Sequence, residues 1–340
     1  MKVKTLTIEE AVGLPLSHDL TQIDANSGYK GPRFKKGHVV TEEDLPTLRA
    51  MGRQRVSVLE LESDELHEDE AALELAKALA GEGLKITGPD EGKCNLVSEV
   101  AGLLIFDEEC VHAINEDDQW LLATLLPKAS VSSGEVVAAM RIRPLFMRRE
   151  RVARAVGLAK PMGVAPFINL RVALVTTGKE LADGLISDAF RPKLEKKIRR
   201  FGGSLIGQVV VGDAQGEIEG AIESSLHDGA DLVICTGGMS VDADDCTPSA
   251  IASTSDEVIF QGVPALPGTM LMLAKHGSAF IVGAPACVVH DEWTTLDVLL
   301  ERLFAGVVPL KGEVRRWGVG GLCRHCAACN FPVCPFANRP

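Results

Sequence analysis

Aromatic side chains are scarce in this chain: they make up 4% of its 340 residues, with a single Tyr. Platforms that stack the bases of single-stranded nucleic acid need several exposed rings, which argues against that function. An excess of positive charge is also missing. Lys and Arg number 35 against 47 Asp and Glu, a net charge of −12, and a surface of that sign repels a phosphate backbone. No nucleic-acid partner is expected. No run of about 18 apolar residues occurs, so no membrane-spanning helix is expected, and Met1 to Thr7 lacks the apolar stretch of an export signal. The expectation is a cytoplasmic protein without membrane attachment, whose cysteines are reduced thiols or metal ligands. Neither a Gly-x4-Gly-Lys-Ser/Thr phosphate loop nor a Ser-His-Asp signature is present. A small anion stays acceptable as a ligand where backbone amides or a bound cation neutralise it.

What is abundant is cysteine at one end. Cys323, Cys326, Cys329 and Cys334 are spaced Cys-x2-Cys-x2-Cys-x4-Cys-Pro. Thiols this close seldom pair into unstrained disulfides, whereas four thiolates on a short tail can converge on one metal centre. The run resembles ferredoxin ligation with the last gap lengthened from three residues to four. A 4Fe-4S cluster is the preferred occupant. Zn2+, with His325 as a further donor, is the alternative. Cys94, Cys110, Cys235 and Cys287 read as buried small hydrophobes. His67 with Glu68, Asp69 and Glu70 reads as an acidic helix start rather than a metal site.

A hydrophobic fraction of 46% with 24% charged residues is ordinary for a globular protein, and the length allows two or three domains. Near the N-terminus, Ile8 to Val12 suggests a short helix. Thr41 can cap a helix running through Leu48 that Gly52 ends, and Val56 to Leu61 alternates like a strand. An Ala/Leu-rich helix follows the acidic run and extends to Ala80. Asp90 to Lys93 has turn chemistry, and Leu103 to Phe106 and Val136 to Met140 read as strands. The stretch from Arg141 to Arg154 is rich in arginine and reads as a connector or helix with a solvated face.

From Asn169 strands alternate with helices. Strands are expected at Arg171–Val175, Leu205–Val211, Asp231–Cys235, Val258–Phe260, Met270–Ala274 and Ala279–Val282. Helices are expected around Leu194–Phe201, Ile218–His227, Pro248–Ser253 and Asp291–Leu303. Several strands are unbroken in hydrophobicity, which describes a doubly wound α/β domain. Ligands of such folds bind at the carboxyl ends of the strands. Three of those ends carry Thr176-Thr177-Gly178, Thr236-Gly237-Gly238-Met239-Ser240 and Gly283-Ala284-Pro285. Glycines there let backbone amides approach a phosphate, and hydroxyls add donors. Asp242 and Asp244 read as acids at a helix start.

The run from Thr236 to Pro248 resembles the signature of the molybdopterin-binding domain of molybdopterin adenylyltransferases and molybdopterin molybdotransferases (molybdenum insertases). Gly237, Gly238, Ser240 and Asp245 match its Gly-Gly-x-Ser and following Asp. Thr177-Gly178-Lys179-Glu180-Leu181 is similar to the insertase Thr-Gly-Asp-Glu-Leu, and Ile186-Ser187-Asp188 to the Ile-x-Asp after it. Pro267-Gly268 and Gly283-Ala284-Pro285 fall where the family has two Pro/Gly loops.

The resemblance implies a doubly wound mixed sheet of the molybdopterin-binding type over 165–305. Ahead of it lie smaller α+β segments, an insertase-like 1–62 and an accessory 63–164, and behind it the Cys-rich tail 306–340. It also implies that Thr177, Gly178, Thr236, Gly237, Gly238, Ser240, Pro267, Gly268, Gly283 and Pro285 contact molybdopterin, with the Thr236–Gly238 turn and Ser240 on its terminal phosphate. Asp188 and Asp245 would be the catalytic acids, facing pterin, molybdate or Mg2+. The implied function is molybdate insertion by a molybdopterin molybdotransferase-like protein; the alternative is a non-catalytic carrier, storage or sensor module whose metal-bearing tail docks on a partner. The implied partners are a molybdoenzyme or another cofactor-biosynthesis protein, and a homo-oligomer stays open. The departures fall on polar positions: Ala189-Phe190 stand in place of Ser-Asn after Asp188, Thr269 in place of Lys, and Ala286-Cys287-Val288 in place of Gly-Asn-Pro.

Overall fold

The structure is a computed structural model that describes residues 2–24, 29–60, 62–90, 92–185, 187–240, 242, 245–334, 336 and 337. The chain separates into two compact units, one of residues 1–97, 106–124 and 136–162, the other of 98–105, 125–135 and 163–340. No helix among the described residues is long and apolar enough to cross a membrane.

In the first unit, Lys2–Thr7 pairs antiparallel with Arg55–Glu60, and Leu20–Asp24 with Tyr29–Phe34. Leu16, Phe34, Leu48 and Val58 are among the residues of the small core beneath them. Residues 8–13 form turns where a helix was expected. The Ala11 N–H reaches the Thr7 carbonyl, but the Gly13 N–H goes to Val40, so no second helical turn forms. Thr41 does open a helix: a 3-10 turn at Glu42–Asp44 runs into Leu45–Ala50, and the Asp44 carboxylate accepts the Thr41 N–H at 2.9 Å. The expected strand is found over Arg55–Glu60; Leu61 lies outside the described residues, as does Glu91 of the expected turn.

The acidic run opens helix Glu68–Leu79, which packs on a four-stranded antiparallel sheet. That sheet runs Leu84–Asp90, Lys93–Ser98, Val136–Ile142, Trp120–Thr124 in spatial order. The arginine stretch becomes strand Phe146–Arg148 and helix Arg149–Leu158. Its cations meet acids near the surface, Arg143 with Asp118 at 3.0 Å and Arg151 with Asp117 at 3.4 Å.

In the second unit a small sheet of Ser130–Val131, Gly102–Ile105 and Gly163–Pro166 precedes the α/β domain. Within that domain the elements are β1 (Arg171–Thr177), α1 (Phe190–Arg200), β2 (Ser204–Val211), α2 (Gln215–His227), β3 (Leu232–Thr236), α3 (Thr247–Thr254), β4 (Glu257–Gln261), β5 (Met272–His276), β6 (Ala279–Ala284) and α4 (Thr295–Phe304). The sheet order is β2-β1-β3-β6-β5-β4. The first four strands are parallel and the last two antiparallel, so the sheet is mixed.

Successive side chains of a strand point to opposite faces, and here both faces are covered. Val172, Leu174, Leu232 and Ile234 share a core with Leu194 and Ile198 of α1 and the apolar residues of α4. Ala173, Val175, Val233 and Cys235 share another with Ile218 and Ile222 of α2 and Ile251 of α3. This is the doubly wound architecture that the hydrophobic runs imply. Helix α4 begins later than Asp291: Thr294 is its N-cap, and its backbone N–H is accepted by Asp297 at 2.7 Å. Lys197 of α1 is buried, and its Nζ donates to both Asp297 oxygens at 2.7 and 2.8 Å.

Candidate functional site

From β1 the chain passes through α1 to β2 on one side, then returns through α2 to β3 on the other side of β1. A sheet whose connections diverge like this has a crevice at the carboxyl ends of the two diverging strands. Here those ends are Thr176-Thr177-Gly178 and Thr236-Gly237-Gly238, with Thr176 and Thr236 as register partners. Ala284, at the end of β6, is the partner of Thr236 on its other side.

Gly237 and Gly238 take φ of +89° and +54°, a left-handed pair that side-chain-bearing residues rarely adopt. Their two missing side chains would face different things. A Cβ on Gly237 would strike the carbonyl oxygen and hydroxyl of Thr177, so this glycine lets the turn press on the end of β1. A Cβ on Gly238 would sit 2.9 Å from Thr247 Oγ1, 3.4 Å from Thr177 Oγ1 and 3.6 Å from Asp245 Oδ1. The absent side chain of Gly238, unlike that of Gly237, would therefore face side-chain oxygen atoms only, which close in on the turn because no Cβ is there.

Those oxygens are placed by the fold. Thr247, the first residue of α3, donates its hydroxyl to the Gly237 carbonyl at 2.8 Å and lies 3.4 Å from Thr177 Oγ1. The Thr236 hydroxyl is buried and has no hydrogen-bond partner among the described residues. Asp245 is half-buried, and its N–H is bonded to the Asp242 carbonyl at 3.0 Å. The positive end of the α3 dipole and the turn amides both favour an anion here. Ser240 is exposed, and Val241, Ala243 and Asp244 of the matched run lie outside the described residues, as does Ile186.

The second predicted acid belongs to another network. Asp188 Oδ1 accepts the N–H groups of Phe190 and Arg191 at 2.7 and 3.4 Å, which starts α1. Its Oδ2 accepts Gln208 Nε2 at 2.5 Å, and the same amide donates to Thr176 Oγ1 at 2.9 Å. Asp188 is thus tied to the end of β1 from the β2 side, and Asp245 faces the Gly238 turn from the β3 side. Sequence reasoning assigned no role to Gln208 or Thr247. Thr247 stood in the quoted motif, while Gln208 shows only as a polar residue in an otherwise apolar strand.

Other predicted contacts are occupied by the protein itself. Gly178 receives its strained φ of +143° at the exit from β1, and its N–H binds Val211. The carbonyls of Pro267 and Gly268 accept the N–H and hydroxyl of Thr295 at 3.1 and 2.6 Å, which ties that loop to the start of α4. A Cβ on Gly283 would collide with the Met239 side chain, so this glycine admits a core methionine. Pro285 is buried, and its carbonyl accepts the Val288 N–H at 3.2 Å.

In the tail, Cys323 and Cys334 are half-buried, whereas Cys326 and Cys329 are exposed. All four line one cavity of about 790 Å³ together with Leu322, Phe331 and Phe336. Burial pushes the Cys334 thiol up from its ordinary pKa, and the sulfurs of Cys329 and Cys323 add to that rise. Among the described residues no three His, Cys, Asp or Glu side chains are already gathered closely enough to hold a metal ion. Of the scattered cysteines, Cys94, Cys110 and Cys235 are buried, and burial pushes the Cys235 thiol far above its ordinary pKa. Cys287 is partly exposed rather than buried.

Residues 173–305 match a family model described as "Probable molybdopterin binding domain". That stretch belongs to the molybdopterin-binding domain family. Within this molybdopterin-binding domain lie both glycine turns, both acids and the Pro267–Gly268 loop. Residues 5–60 match a second model, described only as a domain of unknown function. A CinA-like protein of Mycobacterium leprae is 29% identical over 85 residues, 25% of this chain and 20% of the relative. A protein of Bacillus mycoides named as competence-damage inducible is 31% identical over 111 residues, 33% of this chain and 27% of the relative. The chain thus spans only a fifth to about a quarter of the length of these curated relatives. Among solved structures, a molybdenum cofactor biosynthesis protein of Corynebacterium diphtheriae matches 42% of this chain and 100% of its own, at 22% identity and a TM-score of 0.35. The molybdopterin biosynthesis enzyme MoaB of Thermus thermophilus matches 41% and 98%, at 19% identity and a TM-score of 0.35.

Proposed function

We propose that this protein binds molybdopterin and acts in molybdenum-cofactor biosynthesis as a molybdopterin molybdotransferase-like protein. The observation that carries this reading is the group of oxygen atoms gathered about Gly238, set at the switch point of a sheet whose domain belongs to the molybdopterin-binding family. The Gly237–Gly238 amides, the start of α3 and the Ser240 hydroxyl would hold the terminal phosphate. Asp245, beside the hydroxyls of Thr177 and Thr247, offers the hard oxygen donors that Mg2+ takes, and Mg2+ bound there would offset phosphate or molybdate charge. Incubation with adenylylated molybdopterin, molybdate and Mg2+ tests this: release of AMP together with a metal-loaded cofactor is expected.

A second reading, a non-catalytic carrier, storage or sensor protein, is favoured by the engagement of both Asp188 oxygens and the covering of Gly283 by Met239. Tight binding of the cofactor without any AMP release would select it. Under either reading the four tail thiols serve as ligands of a 4Fe-4S cluster, with Zn2+ the alternative. A molybdoenzyme or another cofactor-biosynthesis protein would be the partner, in the cytoplasm. Self-association is checked by light scattering.

A further inference from the structure

We propose that a metal centre on the four tail cysteines fastens the Leu266–Gly268 segment, making the tail a structural clasp on one loop of the molybdopterin-binding domain. The proposal rests on the tail's reading as a metal ligand set, and it takes that reading from cofactor to consequence.

The tail is sewn to this loop by its backbone. It leaves helix Lys311–Arg316 through Trp317, which is fully buried with the Arg302 guanidinium 5.1 Å from its ring centre. Leu322 then forms a parallel bridge with Leu266. The Leu266 N–H donates to the Gly321 carbonyl at 2.7 Å, and the Cys323 N–H donates to the Leu266 carbonyl at 2.9 Å. A Cβ on Gly321 would meet the Trp317 carbonyl at 2.5 Å and the Pro264 carbonyl at 2.8 Å, so only glycine lets the two strands of chain approach this closely. On the far side, Pro267 and Gly268 are bonded to Thr295 of α4. Residues 266–268 are held between the tail and a core helix.

The cysteines are divided to match. Cys323 follows the bridge directly, and Cys334 lies between two core anchors, Phe331, which stacks on Trp293 at 4.7 Å, and Phe336. Ala337 closes the loop by donating its N–H to Gly320 at 3.3 Å. Cys326 and Cys329 sit on the exposed turn between these anchors and face the same cavity. The His325 N–H points at Cys323 Sγ at 3.5 Å from a residue with φ of +48°, a local turn that brings an amide to the sulfur. Two thiols are therefore fixed to the fold and two lie on a turn with few ties. A metal that draws the second pair onto the first closes the tail, and its binding energy becomes ordering of whatever the anchors hold. The first thing Cys323 holds is Leu266.

The test is hydrogen–deuterium exchange on the full chain, without any pterin, after anaerobic loading with Fe2+ and sulfide, after loading with Zn2+ alone, and after treatment with a chelator. Metal should slow exchange of the Leu266 and Cys323 amides tenfold or more, and Cys326→Ser should abolish both stoichiometric metal and the slowing while leaving the β1–β3 amides protected. Iron with sulfide would identify a cluster and zinc without sulfide a zinc knuckle; either supports the clasp. A chain that takes up neither metal, or one that takes up metal with unchanged exchange at 264–268, overturns it. Because no pterin is present, failure of the cofactor reading would leave this result untouched. Loss of cofactor binding in a metal-loaded chain would count against that reading alone.

Discussion

Replacing Gly238 by alanine places a methyl group among the oxygens of Thr247, Thr177 and Asp245, and the contacts set the size of the effect. The residue has φ of +54°, which costs a side-chain-bearing residue about 1 kcal/mol. The new Cβ stands 2.9 Å from Thr247 Oγ1, close enough to push that hydroxyl off the Gly237 carbonyl, a further loss of about 1 kcal/mol. Gly238→Ala should therefore fold with a stability deficit of about 2 kcal/mol. Molybdopterin affinity should fall at least roughly tenfold, because the methyl occupies ground the phosphate needs. Gly237→Ala is the necessary contrast. Its Cβ meets the backbone of Thr177, which cannot step aside without moving the end of β1, so a stability loss on the order of 3 kcal/mol is expected. Thermal melts and titration calorimetry on both variants separate the two effects. A well-folded Gly238→Ala protein that binds molybdopterin as tightly as the parent would refute the assignment of this turn to the ligand. A Gly237→Ala protein as stable as the parent would refute the geometry of the turn.

Asp245→Asn should retain much of the cofactor binding but lose Mg2+-dependent AMP release, since the amide keeps the shape and drops the charge; unchanged turnover would remove Asp245 from the chemistry. Lys197→Met leaves the buried Asp297 carboxylate without its cation and should cost about 3–5 kcal/mol, read as a lowered denaturation midpoint; a loss below about 1 kcal/mol would contradict a dry pair. Glu301, buried in α4 with neither oxygen hydrogen-bonded among the described residues, has its pKa pushed by burial to about 8. The folded state thus holds a proton that the unfolded chain has already released, and stability should fall as pH rises from about 5 to 8, by a few kcal/mol. Glu301→Gln should flatten that decline, and parallel pH profiles for variant and parent would show that Glu301 does not cause it.

Much of the α/β domain was legible because its signals are local. The unbroken strand hydrophobicity of Val172–Val175 and Leu232–Cys235 follows from burial on both faces, and the alternation with helices dictates parallel crossovers. The glycine turn after β3 and the capping at Thr41 depend on a few adjacent residues. Less was visible where pairing is non-local. Helix Glu108–Asn115 and strand Trp120–Thr124 went unread, and the apparent helix at Ile8–Val12 is overridden when Gly13 bonds to Val40, a partner 27 positions away in sequence.

The sequence by itself determined the doubly wound α/β class, the family of residues 173–305 and the glycine turn proposed to carry the site, since each is encoded in periodicity or in a short contiguous motif. Only the tertiary structure decided which of two adjacent glycines faces the Thr247, Thr177 and Asp245 oxygens and that Asp188 is engaged by Gln208. It alone showed that Pro267 and Gly268 answer to Thr295, and that the cysteine tail is bonded to Leu266 rather than hanging free of the domain. Each of these involves a contact between segments 20 or more positions apart in the chain. Such contacts are chosen by sheet order and crossover path, which no local pattern of residues specifies.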